Sequence, residues 1–211
     1  QVIGSGEPGF TDGSFDEAAF NQPQGMAFDG DSLYIADAEN HTIRRVDLSA
    51  KTVETVAGTG EQSLYRHQGG EALKMPINSP YDIAVADETL YIAMAGFHQL
   101  WSLDLSTMQV SPYAGDGGED IQDGPRLSAR LAQSYGITLL GEVLIFADSE
   151  TSSIRTVDRI TIADGQVRTL IGTGLFDFGD EDGPFSTAQL QHVQGIASDG
   201  MRLFITDTYN H

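Results

Sequence analysis

Four short segments of the chain share one pattern: Leu33-Tyr34-Ile35-Ala36-Asp37, Leu90-Tyr91-Ile92-Ala93-Met94, Leu144-Ile145-Phe146-Ala147-Asp148 and Leu203-Phe204-Ile205-Thr206-Asp207. Their leading leucines are 57, 54 and 59 residues apart. A repeat of this length is one supersecondary unit that cannot bury its apolar faces alone, so copies must stack. Upstream of each segment, Gly25, Asp82, Gly136 and Gly195 open a second apolar run. Downstream, Ile43, Leu100 and Ile154 fall in register within a third, and Gly58, Gly115 and Gly172 close a fourth.

Each repeat therefore holds four strand-sized runs, here lettered a to d. The a-b links (Asp29-Gly30-Asp31, Asp87-Glu88, Ser198-Asp199-Gly200) and the c-d links (Ser49-Ala50-Lys51, Ser106-Thr107-Met108) are short enough for antiparallel hairpins. A composition of 40% hydrophobic residues, with 24 Gly against 7 Pro, suits many short strands joined by tight turns. A four-stranded meander repeated radially covers each sheet with the next, so the expected class is all-β, a β-propeller of four-stranded antiparallel blades.

Asp37-Ala38-Glu39-Asn40-His41-Thr42-Ile43-Arg44 and Asp207-Thr208-Tyr209-Asn210-His211 resemble the NHL repeat, as does the strand-a opening Asn21-Gln22-Pro23-Gln24-Gly25. More narrowly, Tyr91 to Trp101, Phe146 to Val157 and Phe178-Gly179-Asp180-Glu181-Asp182-Gly183 resemble the propeller of proteins that join a thioredoxin-like domain to NHL repeats. This chain has no cysteine to carry thioredoxin chemistry itself. The resemblance implies a six-bladed ring, which at this period needs roughly 340 residues. The expectation is a partial ring of about 3.5 to 4 blades: a strand d at 1–6, blades at about 20–60, 76–117 and 131–174, and an a-b hairpin at 190–211. Such an excerpt would present open sheet edges, a route to self-association.

A formal charge of −20, from 31 acids against 11 bases, repels phosphate backbones and anionic lipid. No run approaches the roughly 20 apolar residues of a membrane span. The expected partner is a protein or peptide, with neither nucleic acid nor membrane, and the working expectation for compartment is the cytoplasm. RNA binding, known for other NHL propellers, uses basic surfaces that this composition lacks.

Antiparallel order sends the b-c turns and d-a connections to one face. The d-a connections repeat: Asp12-Gly13, Asp123-Gly124 and Asp182-Gly183 each stand eight residues before an apolar anchor (Phe20, Leu131, Leu190), while the second repeat has Gly69-Gly70. Asp116, Glu119, Asp120 and Asp123 cluster in one connection and Asp177, Asp180, Glu181 and Asp182 in another. Oxygen-rich, glycine-punctuated loops can wrap Ca²⁺, though no EF-hand spacing is present; a solvated acidic rim is the alternative. Arg44, Trp101 and Arg155 share one strand-c position, read either as a protein-binding hot spot on the rim, together with Asp120, Asp123, Asp180 and Asp182, or as blade packing. His41, His98 and His211 are equivalent, too far apart around a ring to share zinc, and expected to stabilise turns. His67 and His192 are expected at the surface or in packing.

No nucleophile elbow, phosphate-binding loop or His-Glu-x-x-His helix occurs. The expected function is a non-enzymatic interaction scaffold without a cofactor, set in a thioredoxin-linked protein. The alternative is a metal-dependent (Ca or Zn) hydrolase or lyase at the channel, as in related propellers, with Asp82, Asp116 and Asp180 as candidate ligands.

Overall fold

A computed structural model describes residues 2–65, 68–159 and 165–211. Among the described residues seventeen strands carry the fold, with short 3₁₀ turns of three residues besides. The first sheet holds β1 (Gly13–Ser14), β2 (Pro23–Asp29), β3 (Ser32–Asp37), β4 (Thr42–Asp47) and β5 (Thr52–Ala57). The second holds β6 (Gly70–Glu71), β7 (Pro80–Ala86), β8 (Thr89–Met94), β9 (Gln99–Asp104) and β10 (Gln109–Ala114). The third holds β11 (Gly124–Pro125), β12 (Ser134–Leu140), β13 (Val143–Asp148), β14 (Ser153–Asp158) and β15 (Gln166–Ile171), and β16 (Val193–Ser198) with β17 (Leu203–Asp207) form a two-stranded sheet. The a-b-c-d meander is as expected from the repeat, and the class is all-β, built of antiparallel blades.

Each full sheet has one strand more than the sequence reading allows. Its order is β1-β5-β4-β3-β2 and likewise for the other two. The extra strand is the two-residue piece after the Asp-Gly of the d-a connection: Gly13 and Ser14 pair with Val53 and Thr52, and Gly124 and Pro125 with Val167 and Gln166. It caps the outer edge of strand d, which would otherwise present unpaired N–H and C=O groups. Residues 2–6, expected as a strand d, form no strand; the Gly4 N–H bonds the Phe15 carbonyl at 2.8 Å instead.

The chain divides into two compact units, Gln1–Ile92 with Ser102–Ser111, and Ala93–Trp101 with Pro112–His211. In the first unit β2 lies against β7, and a side chain at Gly25 would run into Asp82. In the second, β12 lies against β16, and one at Gly136 would strike the Gln194 carbonyl. Both glycines sit in a β-bulge near the start of their strand. The extra residue re-aims the backbone there, and only a residue without Cβ lets neighbouring blades approach so closely. Apolar residues fill a core in each unit: Phe15, Leu33, Ile35, Val46 and Val53 of the first sheet and its d-a connection, and Ile145, Ile154, Ile171, Val193 and Ile196 between the third sheet and β16.

Candidate functional site

Arg44 and Arg155 are wholly buried, their side chains at 0% exposure. The Arg44 guanidinium donates to the Asp37 carboxylate at 2.8 Å, the Asp12 carboxylate at 2.7 Å, and the Ala19 and Thr11 carbonyls at 3.0 and 2.7 Å. Arg155 repeats this with Asp148 at 2.8 Å, Asp123 at 3.0 Å, and the Arg130 and Gln122 carbonyls at 2.6 and 3.1 Å. A planar fork with fixed donors is the cation that can satisfy four acceptors at once. The carboxylates are held in turn: Asp12 accepts from the Thr55 N–H and hydroxyl, and Asp123 from those of Thr169. Thus each arginine ties a d-a connection to strands b, c and d of its own blade.

This corrects the rim reading of Arg44, Trp101 and Arg155, because a side chain with no solvent-accessible surface offers nothing to a partner. Trp101 is likewise at 0%; it stacks on Phe97 with ring centroids 5.4 Å apart, and its indole N–H donates to Gln99 at 3.0 Å. Asp123 belongs to the same internal framework. Partial desolvation pushes its carboxyl up, but the hydrogen bonds from Thr169 and Arg155 outweigh that and hold it below the ordinary carboxylate range. Burial has the upper hand at Asp148, which is raised despite Arg155.

The histidine position has a role across blades. His41 and His98 sit in the left-handed region, closing the b-c turn, and Ser152 does the same in the third repeat. The His41 Nδ1 accepts the Ser79 N–H at 3.1 Å, the His98 Nδ1 that of Gln133 at 3.2 Å, and the Ser152 hydroxyl that of His192 at 3.1 Å. Ser79, Gln133 and His192 themselves have positive φ. A left-handed non-glycine residue costs about 1 kcal/mol or more, so each junction offsets backbone strain with a hydrogen bond to the next blade. The expected turn-stabilising bond is therefore a bond between blades. His192 also stacks on Tyr209 at 4.4 Å; His67 lies outside the described residues.

The acidic candidates separate. Asp116 accepts from the Gly118 N–H at 2.6 Å and lies 3.4 Å from Arg130, while Asp120 accepts from its neighbour Ile121 at 2.8 Å and reaches Arg130 at 3.8 Å. Asp82 accepts from the Ile83 N–H at 2.9 Å on a different blade. Asp180 and Asp182 are exposed. Among the described residues no three His, Asp or Glu side chains come together in a metal-binding group, so the structure does not bring Asp82, Asp116 and Asp180 into one site.

What the sequence reading passed over are exposed apolar side chains in the d-a connections. Phe176 is 89% and Phe178 46% exposed, beside Asp177, Asp180 and Glu181; Leu64 and Tyr65 stand out in the connection after β5. For Phe176 and Phe178 the signal was available: aromatic residues beside acids in a loop without strand periodicity.

A family model for the NHL repeat matches residues 20–46, which spans β2, β3 and most of β4. NHL repeat-containing protein 2 of Gallus gallus is 39% identical over 242 aligned positions, covering 100% of this chain and 33% of the relative. The protein SUPPRESSOR OF QUENCHING 1, chloroplastic, of Arabidopsis thaliana is 40% identical, covering 100% of this chain and 21% of its own length. The chain thus spans a third or less of the curated relatives it matches. An auxiliary nutrient binding protein of Bacteroides ovatus shares the fold, with a TM-score of 0.54 and 17% identity over 100% of this chain and 74% of that one. Among the described residues no helix is long and apolar enough to cross a membrane. One NHL repeat is matched, its strand pattern recurs through the chain, and relatives named for the repeat align along its whole length, so the chain carries an NHL repeat and is similar to NHL repeat-containing protein 2.

Proposed function

We propose that the chain is a non-enzymatic interaction scaffold whose d-a connection between β15 and β16 receives a basic peptide segment of a partner protein through an apolar anchor. The exposed pair Phe176 and Phe178, set among Asp177, Asp180 and Glu181, is the observation that carries this reading. Large exposed aromatic groups in a polar setting mark interaction surfaces, because burying them repays the cost of ordering a partner. A chain of net charge −20 adds long-range attraction for a cationic segment and repels anionic ones. A frame riveted from inside by Arg155 gives the loop a rigid base, the usual arrangement for binding loops.

The narrower resemblance supports a setting beside a thioredoxin-like domain. Since this chain has no cysteine, dithiol chemistry in such a protein belongs to that other domain. Selection of short displayed peptides against the immobilised protein tests the reading, with the double variant F176A/F178A as the counter-target. Basic peptides with an aromatic or aliphatic residue should be enriched on the parent protein alone; enrichment that ignores the two substitutions would refute it.

A further inference from the structure

Asn40-His41-Thr42 is the one place in the chain where a hydroxyl residue stands two after an asparagine with a residue other than proline between them. That pattern is the acceptor sequence for N-linked glycan transfer, in which the asparagine amide nitrogen takes the sugar. An acceptor in use lies on a surface loop. Here the fold takes both of its functional side chains inside: Asn40 is 8% exposed and Thr42 0%. The equivalent segments Phe97-His98-Gln99 and Thr151-Ser152-Ser153 lack the asparagine.

The Asn40 amide spends both of its hydrogens within the first blade, one on the Gly9 carbonyl at 2.8 Å and one on the Asp37 carboxylate at 2.8 Å. Thr42 pairs with Asp37 at the start of β4, and its buried hydroxyl has no hydrogen-bond partner among the described residues. His41 between them is fixed in the left-handed region by the turn. A glycan replaces one amide hydrogen, so a modified Asn40 keeps at most one of its two bonds. The sugar also has nowhere to go, because the Gly9 segment lies directly on the amide nitrogen. Thr11 and Asp12, two and three residues beyond Gly9, each accept from the Arg44 guanidinium at 2.7 Å. Displacing this segment to admit a sugar strips Arg44 of those two acceptors and leaves a buried arginine and the buried Asp37 in an incomplete network, which is the costly state for charges without water.

We propose that Asn40 is a glycan acceptor in the unfolded chain alone, and that attachment of a sugar there and closure of the first blade exclude each other. The order of events then decides the outcome. A chain that folds first is sealed against an oligosaccharyltransferase, and a chain that meets the transferase unfolded cannot close its first blade.

Two measurements test this. In the first, the whole chain and a synthetic peptide of residues 35–48 are given to a purified single-subunit oligosaccharyltransferase with a lipid-linked donor, and the gain in mass is followed with time. The peptide should be modified, and the folded chain at least about a hundredfold more slowly, since transfer must wait for the blade to open. Arg44→Leu lies outside the acceptor sequence and should speed transfer to the whole chain at least about tenfold, with a smaller gain for Arg155→Leu in the third blade. In the second, Asn40→Cys is alkylated in urea with N-iodoacetylglucosamine; the chain has no other cysteine, so a single sugar is placed. After removal of urea, amide hydrogens of residues 9–58 should exchange at least about tenfold faster than in unalkylated Asn40→Cys. The same sugar on Ser49→Cys, at an exposed turn, should leave exchange unchanged. A peptide that is not modified, a folded chain modified as fast as the peptide, indifference to Arg44→Leu, or equal protection with the sugar at positions 40 and 49 would each overturn the proposal.

Discussion

In the first blade positions 12, 37, 40 and 44 are Asp, Asp, Asn and Arg; in the second the matching positions 69, 94, 97 and 101 are Gly, Met, Phe and Trp. All four change together. The first set is a buried ion network in which a guanidinium meets four acceptors, with Phe10 and Phe20 rings 5.3 and 5.0 Å away. The second is an apolar stack in which Met94, Phe97 and Trp101 are buried and the lone polar hydrogen goes to Gln99. Gly69 is equally tied to its blade: a side chain there would collide with the Val110 carbonyl and Ser111. Two opposite chemistries hold equivalent strands in one molecule, which is what the energetics of buried charge allow. Complete networks and well-packed apolar replacements of like volume come out close to each other, and only mixtures of the two are costly.

That comparison is broken most severely by removing one partner alone. Arg44→Leu leaves Asp37 buried and uncompensated, and Arg155→Leu does the same to Asp148; each should lower unfolding free energy by about 3–5 kcal/mol in urea titrations. The transplant D12G/D37M/N40F/R44W, which copies the second blade into the first, should recover most of that loss. If the fourfold variant were no more stable than Arg44→Leu, the view of these positions as interchangeable modules would fail.

Trp101 already hinted at this in the sequence, since a position that alternates Arg with Trp between strand-c neighbours such as Ile43 and Ile154 reads as interior. Residue type pulled the other way, because Arg and Trp are also the favoured anchors of interfaces. Burial of an arginine depends on acceptors spread over positions 11, 12, 19 and 37, and two of those are backbone carbonyls that no side-chain pattern reveals. The blades themselves were plain from the leucine and glycine spacing. The capping strands β1, β6 and β11 were not, since two residues are too few for alternation to register. For the same reason His41 announced a turn but not its bond to Ser79, whose donor is a main-chain N–H.

The junctions between blades give the next smaller effect. Ser152→Ala removes the acceptor for the His192 N–H and leaves the strained φ in place, so about 1–2 kcal/mol should be lost, read by the same titration. His41 does the same task with a titratable group, and this sharpens the contrast between Ser152 and His41. Burial lowers the His41 pKa below its ordinary 6.5, partly offset by Glu39. A depressed value in the folded state means stability that is present above the ordinary value and lost as pH falls through the folded one. The chemistry agrees, since a protonated Nδ1 cannot accept from Ser79. Unfolding measured from about pH 7.5 down to about pH 5 should show this loss, and His41→Ser should remove that share of the slope. An unchanged slope in the variant would assign it to other groups.

The smallest effect isolates geometry from residue type within a single blade. Arg168 of β15 donates to Asp158 at 3.2 Å, an arginine–aspartate pair like that of Arg155 and Asp148 in the same sheet. Arg168, however, is 59% exposed, so water solvates both groups whether or not they meet, and the pair must also restrain two long side chains. Arg168→Ala should therefore change stability by no more than about 0.5 kcal/mol, and by less still in high salt. Against a several-kcal/mol loss at Arg155, that result would show that this fold depends on its arginines according to whether water can reach the carboxylate left behind. A loss at Arg168 approaching that at Arg155 would mean that exposure is not what sets the two apart.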